Sequence, residues 1–515
     1  MTANPDPSTP VAEVHLPDVL LPDVLDALAG VAAGDALDAA RRRRPDAREH
    51  AQGSFEALFV PVDPAHVSLA ERAAVALFVA RLHNEPAAVE FYGALLRETG
   101  GGPGLEPLIV AEATRAAGSG PYGAFKAENA PESVDGPVYV VSSVEVAYAL
   151  GDRLAAALEH AHMLTLHPRD AARDHLQSLL DAGWSTTGIV TLSQLVAFLT
   201  FQLRVAQGLA AVRGAAVGET GAAGAVSTES AAGASGAEAA LGSAGAEAAR
   251  SSAALPTSPL GFDGRREALG ALAVAVAGAA RARAEARAVG VPAGEASGPV
   301  GVAEGATESS AAPGGPGARE LLPASPRVTE PPRFTQDQLG WKPWLEPLPV
   351  AEFTERHYEG LVQRDRVHMP YFRLLARDPE ALRERTLTDL DIFTNTDAGL
   401  PRRDREIAAA AASRVNGCVY CASVHARFAT EQGADREDVQ RLLDDGATVR
   451  ISPRWDALFD ATIALTATPP RFSAEHLGAL QRVGFDELEL IDAIQSAAFF
   501  NWANRLMLSL GEPSV

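Results

Sequence analysis

Four side chains within one short stretch have the types and spacing for redox chemistry. Glu406, Cys418, Cys421 and His425 lie in EIAAAAASRVNGCVYCASVH, and its two cysteines are the only ones in 515 residues. Positions three and four apart share one face of a helix. The alanine-rich composition predicts a helix here, so Cys418, Cys421 and His425 converge. A dithiol, an imidazole and a carboxylate are the parts that reversible thiol–disulfide chemistry with proton transfer requires. Cys-x2-Cys-x3-His is also a partial zinc site, but a structural site takes four ligands. The spare donors His368 and His476 lack motif spacing, so no metal is expected.

Local sequence bears on which thiol attacks. A free cysteine, with a pKa of about 8.5, is mostly protonated at neutral pH. Asn416-Gly417 predicts a helix break that puts Cys418 in the first turn of the next helix, where the dipole favours its thiolate. Cys421 lies deeper, but His425 one turn on can take its proton. Helix position alone favours Cys418; the histidine favours Cys421.

The surrounding sequence must hold this stretch in place, and it reads as helical. Expected helices in the second half lie at about 369–377, 379–392, 402–415, 418–432, 436–445, 454–467, 474–483 and 486–509. Gly433 followed by Asp435 reads as a stop and an N-cap. Residues 331–350 read as an extended, tryptophan-anchored arm. Residues 16–212 also read as helical, with ERAAVALFVARL (71–82) as a buried helix and Gly183 as a helix end. Residues 100–138 break into Gly, Pro and polar pieces and read as a long loop or insertion. Residues 213–330 are rich in Ala, Gly, Ser, Glu and Pro and read as a disordered linker, with Gly264–Ala288 as a candidate helix. Residues 1–15 read as disordered. The expected fold class is all-α, two helical-bundle domains joined by that linker.

The halves look like one fold used twice. Thr165, His175, Gly183, Phe198 and Arg204 recur 301 positions on as Thr466, His476, Gly484, Phe499 and Arg505, within one ungapped register over 165–209. Upstream, Glu71-Arg72 aligns with Asp404-Arg405 at an offset of 333. The difference, 333 − 301 = 32, matches the extra segment after Gly100. In that register Glu85, Ala88, Tyr92 and Ala73 stand where Cys418, Cys421, His425 and Glu406 do, so the first copy lacks every reactive group. His175 and His476 read as helix-packing residues and Arg41–Arg44 as a solvated helix face. Phe499, Phe500 and Trp502 read as core or subunit contact, with Arg505 paired to a buried carboxylate.

Bulk properties narrow the classes. The length permits about three or four domains. A formal charge of −22 argues against nucleic acid and anionic membrane as main partners. Two cysteines exclude a disulfide scaffold. The opening MTANPDPSTP lacks a signal-peptide pattern, and the apolar run 269–280 is too short to span a bilayer. A reducing cytoplasmic compartment is expected, where a CxxC pair is catalytic or metal-binding more often than structural.

The motif Glu-x11-Cys-x2-Cys-x3-His on a helical scaffold resembles the alkylhydroperoxidase D / carboxymuconolactone decarboxylase family. The resemblance covers about 390–510 well, 330–390 resembles the amino-terminal extension of a peroxidase-related branch, and 16–212 resembles the same fold faintly. It implies a thiol-dependent hydroperoxide reductase with Cys421 as the attacking thiol, Cys418 as the resolving thiol, and His425 and Glu406 as the proton relay. The redox group is then a Cys418–Cys421 disulfide, with no other cofactor. It also implies a hydroperoxide substrate, a dithiol or redox-protein electron donor, and a homo-oligomer. Members often carry a second histidine just before the second cysteine. Here that position is Tyr420, a possible but poorer relay. A lactone decarboxylase, whose branch does not use the CxxC pair, and a redox sensor without turnover are the alternatives.

Overall fold

The computed structural model describes residues 23–224, 269–274, 321–323 and 328–515. The stretch 1–15, most of 213–330 and most of Gly264–Ala288 lie outside the described residues; 269–274 are helical.

The fold is all-α. The first half contains α1 (Val24–Ala29), α2 (Ala36–Arg41), α3 (Pro45–Phe59), α4 (Leu69–Leu82), α5 (Pro86–Glu98), α6 (Leu105–Arg115), α7 (Val144–Leu150), α8 (Asp152–Leu166), α9 (Arg173–Asp181) and α10 (Thr186–Gly224). The second contains α11 (Glu355–Gly360), α12 (Pro370–Leu375), α13 (Pro379–Thr394), α14 (Arg402–Asn416), α15 (Val419–Glu431), α16 (Arg436–Asp445), α17 (Pro453–Thr466), α18 (Ala474–Arg482) and α19 (Glu487–Leu510). One antiparallel ribbon pairs β1 (Gly340–Pro343) with β2 (Gly511–Ser514), Trp341 opposite Pro513. The arm is thereby closed by the chain's last residues, and the Trp341 indole donates to Met507 O at 3.1 Å.

Local chemistry explains the boundaries. Ser68 and Glu71 form a reciprocal capping box at the head of α4. The Asp435 carboxylate caps α16, accepting from the backbone N–H groups of Glu437 and Asp438 at 2.9 and 3.1 Å. Gly417 ends α14 in the left-handed region, φ +78°, where a side chain is disfavoured. The turn is what separates α14 from the cysteine helix α15.

One apolar core runs through both halves. Helices α8, α9 and α10 begin 301 residues before α17, α18 and α19 (152/453, 173/474, 186/487). Helix α10 packs on α19, where Phe198 meets Trp502 at 5.2 Å and Phe499 meets Phe201 at 6.0 Å between ring centroids. Adding 301 to the first-half partner and subtracting 301 from the second-half partner turns one pair into the other, as across a two-fold interface. The buried arginines exchange in the same way. Arg204 Nε donates to Leu465 O at 2.7 Å, and Arg505 Nε donates to Leu164 O at 2.8 Å. Residues 186–215 of α10 are long and apolar enough to cross a membrane, but most of that stretch is buried inside this fold.

Four expectations are corrected. Residues 105–115 form helix α6 inside the segment expected to be a long loop or an insertion, so the loop alternative fails there; Pro103, Gly104 and Pro107 hide the helix, although prolines are tolerated in a first turn. The linker does not begin at 213, because α10 continues to Gly224 through an alanine-rich run of high helix propensity. At the linker's other end, Thr329 O accepts from Val515 N at 3.0 Å and Glu330 pairs with Lys126 at 2.8 Å. Arg41 and Arg44 are buried rather than solvated, since tertiary carboxylates meet them: Arg44 pairs with Asp492 at 2.8 Å and Arg41 with Asp23 at 3.0 Å. Arg505 finds carbonyls rather than a carboxylate, at Leu164, Thr165 and Asn501.

Candidate functional site

Helices α14 and α15 pack against each other and carry the motif. Cys418 is the N-cap residue of α15, and Cys421 lies within its first turn. Both are buried, with 2.7 Å between the sulfurs and the Cys418 thiol donating to Cys421 Sγ. His425 follows one turn after Cys421. Its Nδ1 is 2.6 Å from Glu406 Oε2 on α14, and Arg402 Nε donates to the other carboxylate oxygen at 3.1 Å. Glu406 is fully buried, so both oxygens have the partners that a buried charge needs. The imidazole is enclosed by rings: Phe500 at 4.0 Å, Phe393 at 5.4 Å and Phe428 at 5.9 Å between centroids.

The environment acts on the Cys418 thiol. Burial pushes the Cys418 thiol well above its ordinary range, and the hydrogen bond and charge of Cys421 add to this. An Asn504 hydrogen bond opposes the shift but does not overcome it. The helix-dipole argument for a Cys418 thiolate therefore loses to desolvation, which disfavours any buried charge. Burial also raises the Tyr420 phenol, as do the charges of Cys421 and Cys418, so it stays protonated near neutrality.

The first half reaches this site. A narrow cavity of about 40 Å³ opens on Cys418, between Tyr420 and Trp341 of the second half and Phe125 and Arg169 of the first. Arg169 Nη2 donates to Val415 O at 2.7 Å, and its guanidinium lies 4.1 Å over the Phe125 ring. Arg414, in the last turn of α14, pairs with Glu132 at 2.6 Å. Phe125 and Glu132 belong to the long connection between α6 and α8, which α16 and α17 replace with a short turn. A larger cavity of about 1110 Å³ between α3 and α13 contains none of the four motif residues, so volume does not mark the chemistry here.

All four motif residues come together. His476 is engaged by the Ser473 hydroxyl at the start of α18, and among the described residues no group of three His, Cys, Asp or Glu is arranged to hold a metal ion. Arg402 was readable from sequence, being four residues before Glu406 on one helix face. Arg169 carried no such signal, because only tertiary packing brings it near.

A helical bundle holding a buried Cys-x2-Cys-x3-His face against a glutamate defines the class of site. Residues 379–464, from α13 into α17, match the model of the carboxymuconolactone decarboxylase family. The match includes Glu406, Cys418, Cys421 and His425. No curated protein and no solved structure matches the chain.

Proposed function

We propose that the protein is a thiol-dependent hydroperoxide reductase working through the Cys418–Cys421 pair. The observation that carries the reading is a buried pair of touching sulfurs beside an imidazole held by a buried carboxylate. His425 takes the proton of Cys421. The Cys421 thiolate attacks the terminal oxygen of R–O–O–H, the O–O bond breaks, and the departing alkoxide takes the proton back as an alcohol. Cys421 is left as a sulfenic acid. Cys418 then attacks that sulfur, hydroxide leaves and is protonated to water, and the disulfide forms. An external dithiol returns both thiols by exchange, becoming a disulfide itself.

The raised Cys418 thiol supports this division of labour. A protonated Cys418 donating to Cys421 Sγ stabilises the Cys421 thiolate, and Glu406 fixes and polarises the ring that takes the proton. The first half is read as a cysteine-less copy of the same fold that closes the wall around Cys418. Its helix spacing and its exchanged arginine contacts support that reading.

The test is turnover of cumene hydroperoxide with dithiothreitol. Cys421→Ser should abolish it and Cys418→Ser should stop the cycle at a sulfenic acid that dimedone traps on Cys421. Trapping at Cys418 instead would reverse the roles. Stoichiometric oxidation without turnover would make the protein a sensor.

A further inference from the structure

Two buried hydrogen-bond donors in the packing around the site have no partner. The Tyr371 Oη on α12 and the Arg385 Nε on α13 are buried without a partner. Buried polar groups are nearly always paired, so each orphan calls for an explanation. Arg385 is 5% exposed. Its guanidinium lies 5.1 Å over the Phe499 ring, and its nearest carboxylate, Asp389, is 3.7 Å away, beyond hydrogen-bond reach. Phe499 packs on Phe393 and Phe500, the rings that enclose His425.

Tyr371 approaches from the other side. Its ring stands edge-on to Trp341 at 5.4 Å, and Trp341 lines the cavity that opens on Cys418 and Tyr420. Burial pushes its phenol up to about 12; the Arg385 charge opposes this, while Cys421, Asp389 and Tyr420 add to it. At neutral pH the hydroxyl therefore keeps its proton and can only improve its position by giving a hydrogen bond. One neutral donor and one cationic donor, both buried and unpartnered, thus lie in the packing around the dithiol and its histidine, Arg385 behind the rings that enclose His425 and Tyr371 behind Trp341.

We propose that Tyr371 and Arg385 form the oxygen subsite of this centre, their O–H and N–H groups holding the two oxygens of a hydroperoxide in line with Cys421 Sγ. This rests on the peroxide reading above and extends it. As Cys421 attacks, negative charge builds on the departing oxygen. Donors fixed in advance in a dry site stabilise such charge most effectively. The ligand class is a hydroperoxide head group, which offers lone pairs to both donors and a breakable O–O bond to the sulfur.

The experiment separates oxygen chemistry from sulfur chemistry. Reduced full-length chain is oxidised in a single turnover, once by cumene hydroperoxide and once by 2,2′-dipyridyl disulfide, and protein thiols are counted over time. Tyr371→Phe should slow the peroxide reaction about tenfold, and Arg385→Lys about a hundredfold, as for loss of one oxyanion donor. Exchange with 2,2′-dipyridyl disulfide, which carries no oxygen for the subsite to hold, should change less than twofold in both variants. Tyr371→Phe removes one buried hydroxyl and gives a folded control if Arg385→Lys does not fold. Equal losses in both reactions would assign the pair a structural role, and an unchanged peroxide rate in Tyr371→Phe would remove Tyr371 from the subsite. Wild-type chain that exchanges with the disulfide yet never consumes peroxide would instead overturn the peroxidase reading itself, an outcome distinguishable from both.

Discussion

Replacing Gly417 with alanine tests whether the first half clamps the turn before Cys418. Gly417 sits at φ +78° and ψ 16°, where a Cβ costs roughly 1–2 kcal/mol by itself. That Cβ would also stand 2.8 Å from Arg169 Cγ and 3.2 Å from its Cδ, so something must shift. Arg169 cannot swing aside freely. It bonds Val415 O at 2.7 and 3.3 Å and Gly123 O at 3.3 Å while stacking on Phe125. Forcing it out adds a steric cost of about 1–3 kcal/mol, for a total of about 2–5 kcal/mol. Arg169→Ala alone should cost about 1–2 kcal/mol through its lost hydrogen bonds. In the double variant the clash is gone, so the two losses should fall short of their sum by about 1 kcal/mol or more. Urea unfolding of the four proteins measures this directly. A Gly417→Ala loss below about 1 kcal/mol, or losses that add within about 0.5 kcal/mol, would refute the clamp.

Three further outcomes follow from the site. Glu406→Gln removes the carboxylate that polarises His425 and should slow single-turnover oxidation by cumene hydroperoxide on the order of 10²-fold, with helicity by circular dichroism unchanged. Because burial and Cys421 hold the Cys418 thiol well above its ordinary range, its alkylation by iodoacetamide should stay slow at pH 7–8. The rate should climb only as the pH passes well above 9, read peptide by peptide by mass spectrometry; a plateau already reached at pH 8 would contradict the cause given. A separately expressed 331–515 fragment would expose Phe499 and Trp502 and strand the buried Arg505. It should therefore self-associate through α19 or fail to fold, and a monomeric, fully active fragment in sedimentation would disprove the dependence on the first half.

What was legible in the sequence was local. The spacing of Glu406, Cys418, Cys421 and His425 states a helix face, and Asn416-Gly417 states the break that positions it, because both act over a few residues. The illegible parts depend on where distant side chains land. Arg44 looks like any surface arginine until Asp492, 448 positions away, is seen to meet it. Tyr371 and Arg385 lie in unremarkable helical sequence, and nothing in their spacing from Cys421 reports that both end up with a buried, unpartnered donor.

The long connection of the first half shows the same limit with a sharper consequence. Its length was visible as a 32-residue surplus over the second half, and its destination was not. Folded, it delivers Phe125 beside Cys418 and Glu132 to Arg414. The half without cysteines is therefore longer where it faces the half that has them. If the first half served only to pair α10 with α19, that surplus could point anywhere on the surface. Its position against the turn that leads into Cys418 makes it part of the wall around that thiol, and gives the half without cysteines a local reason to keep its shape.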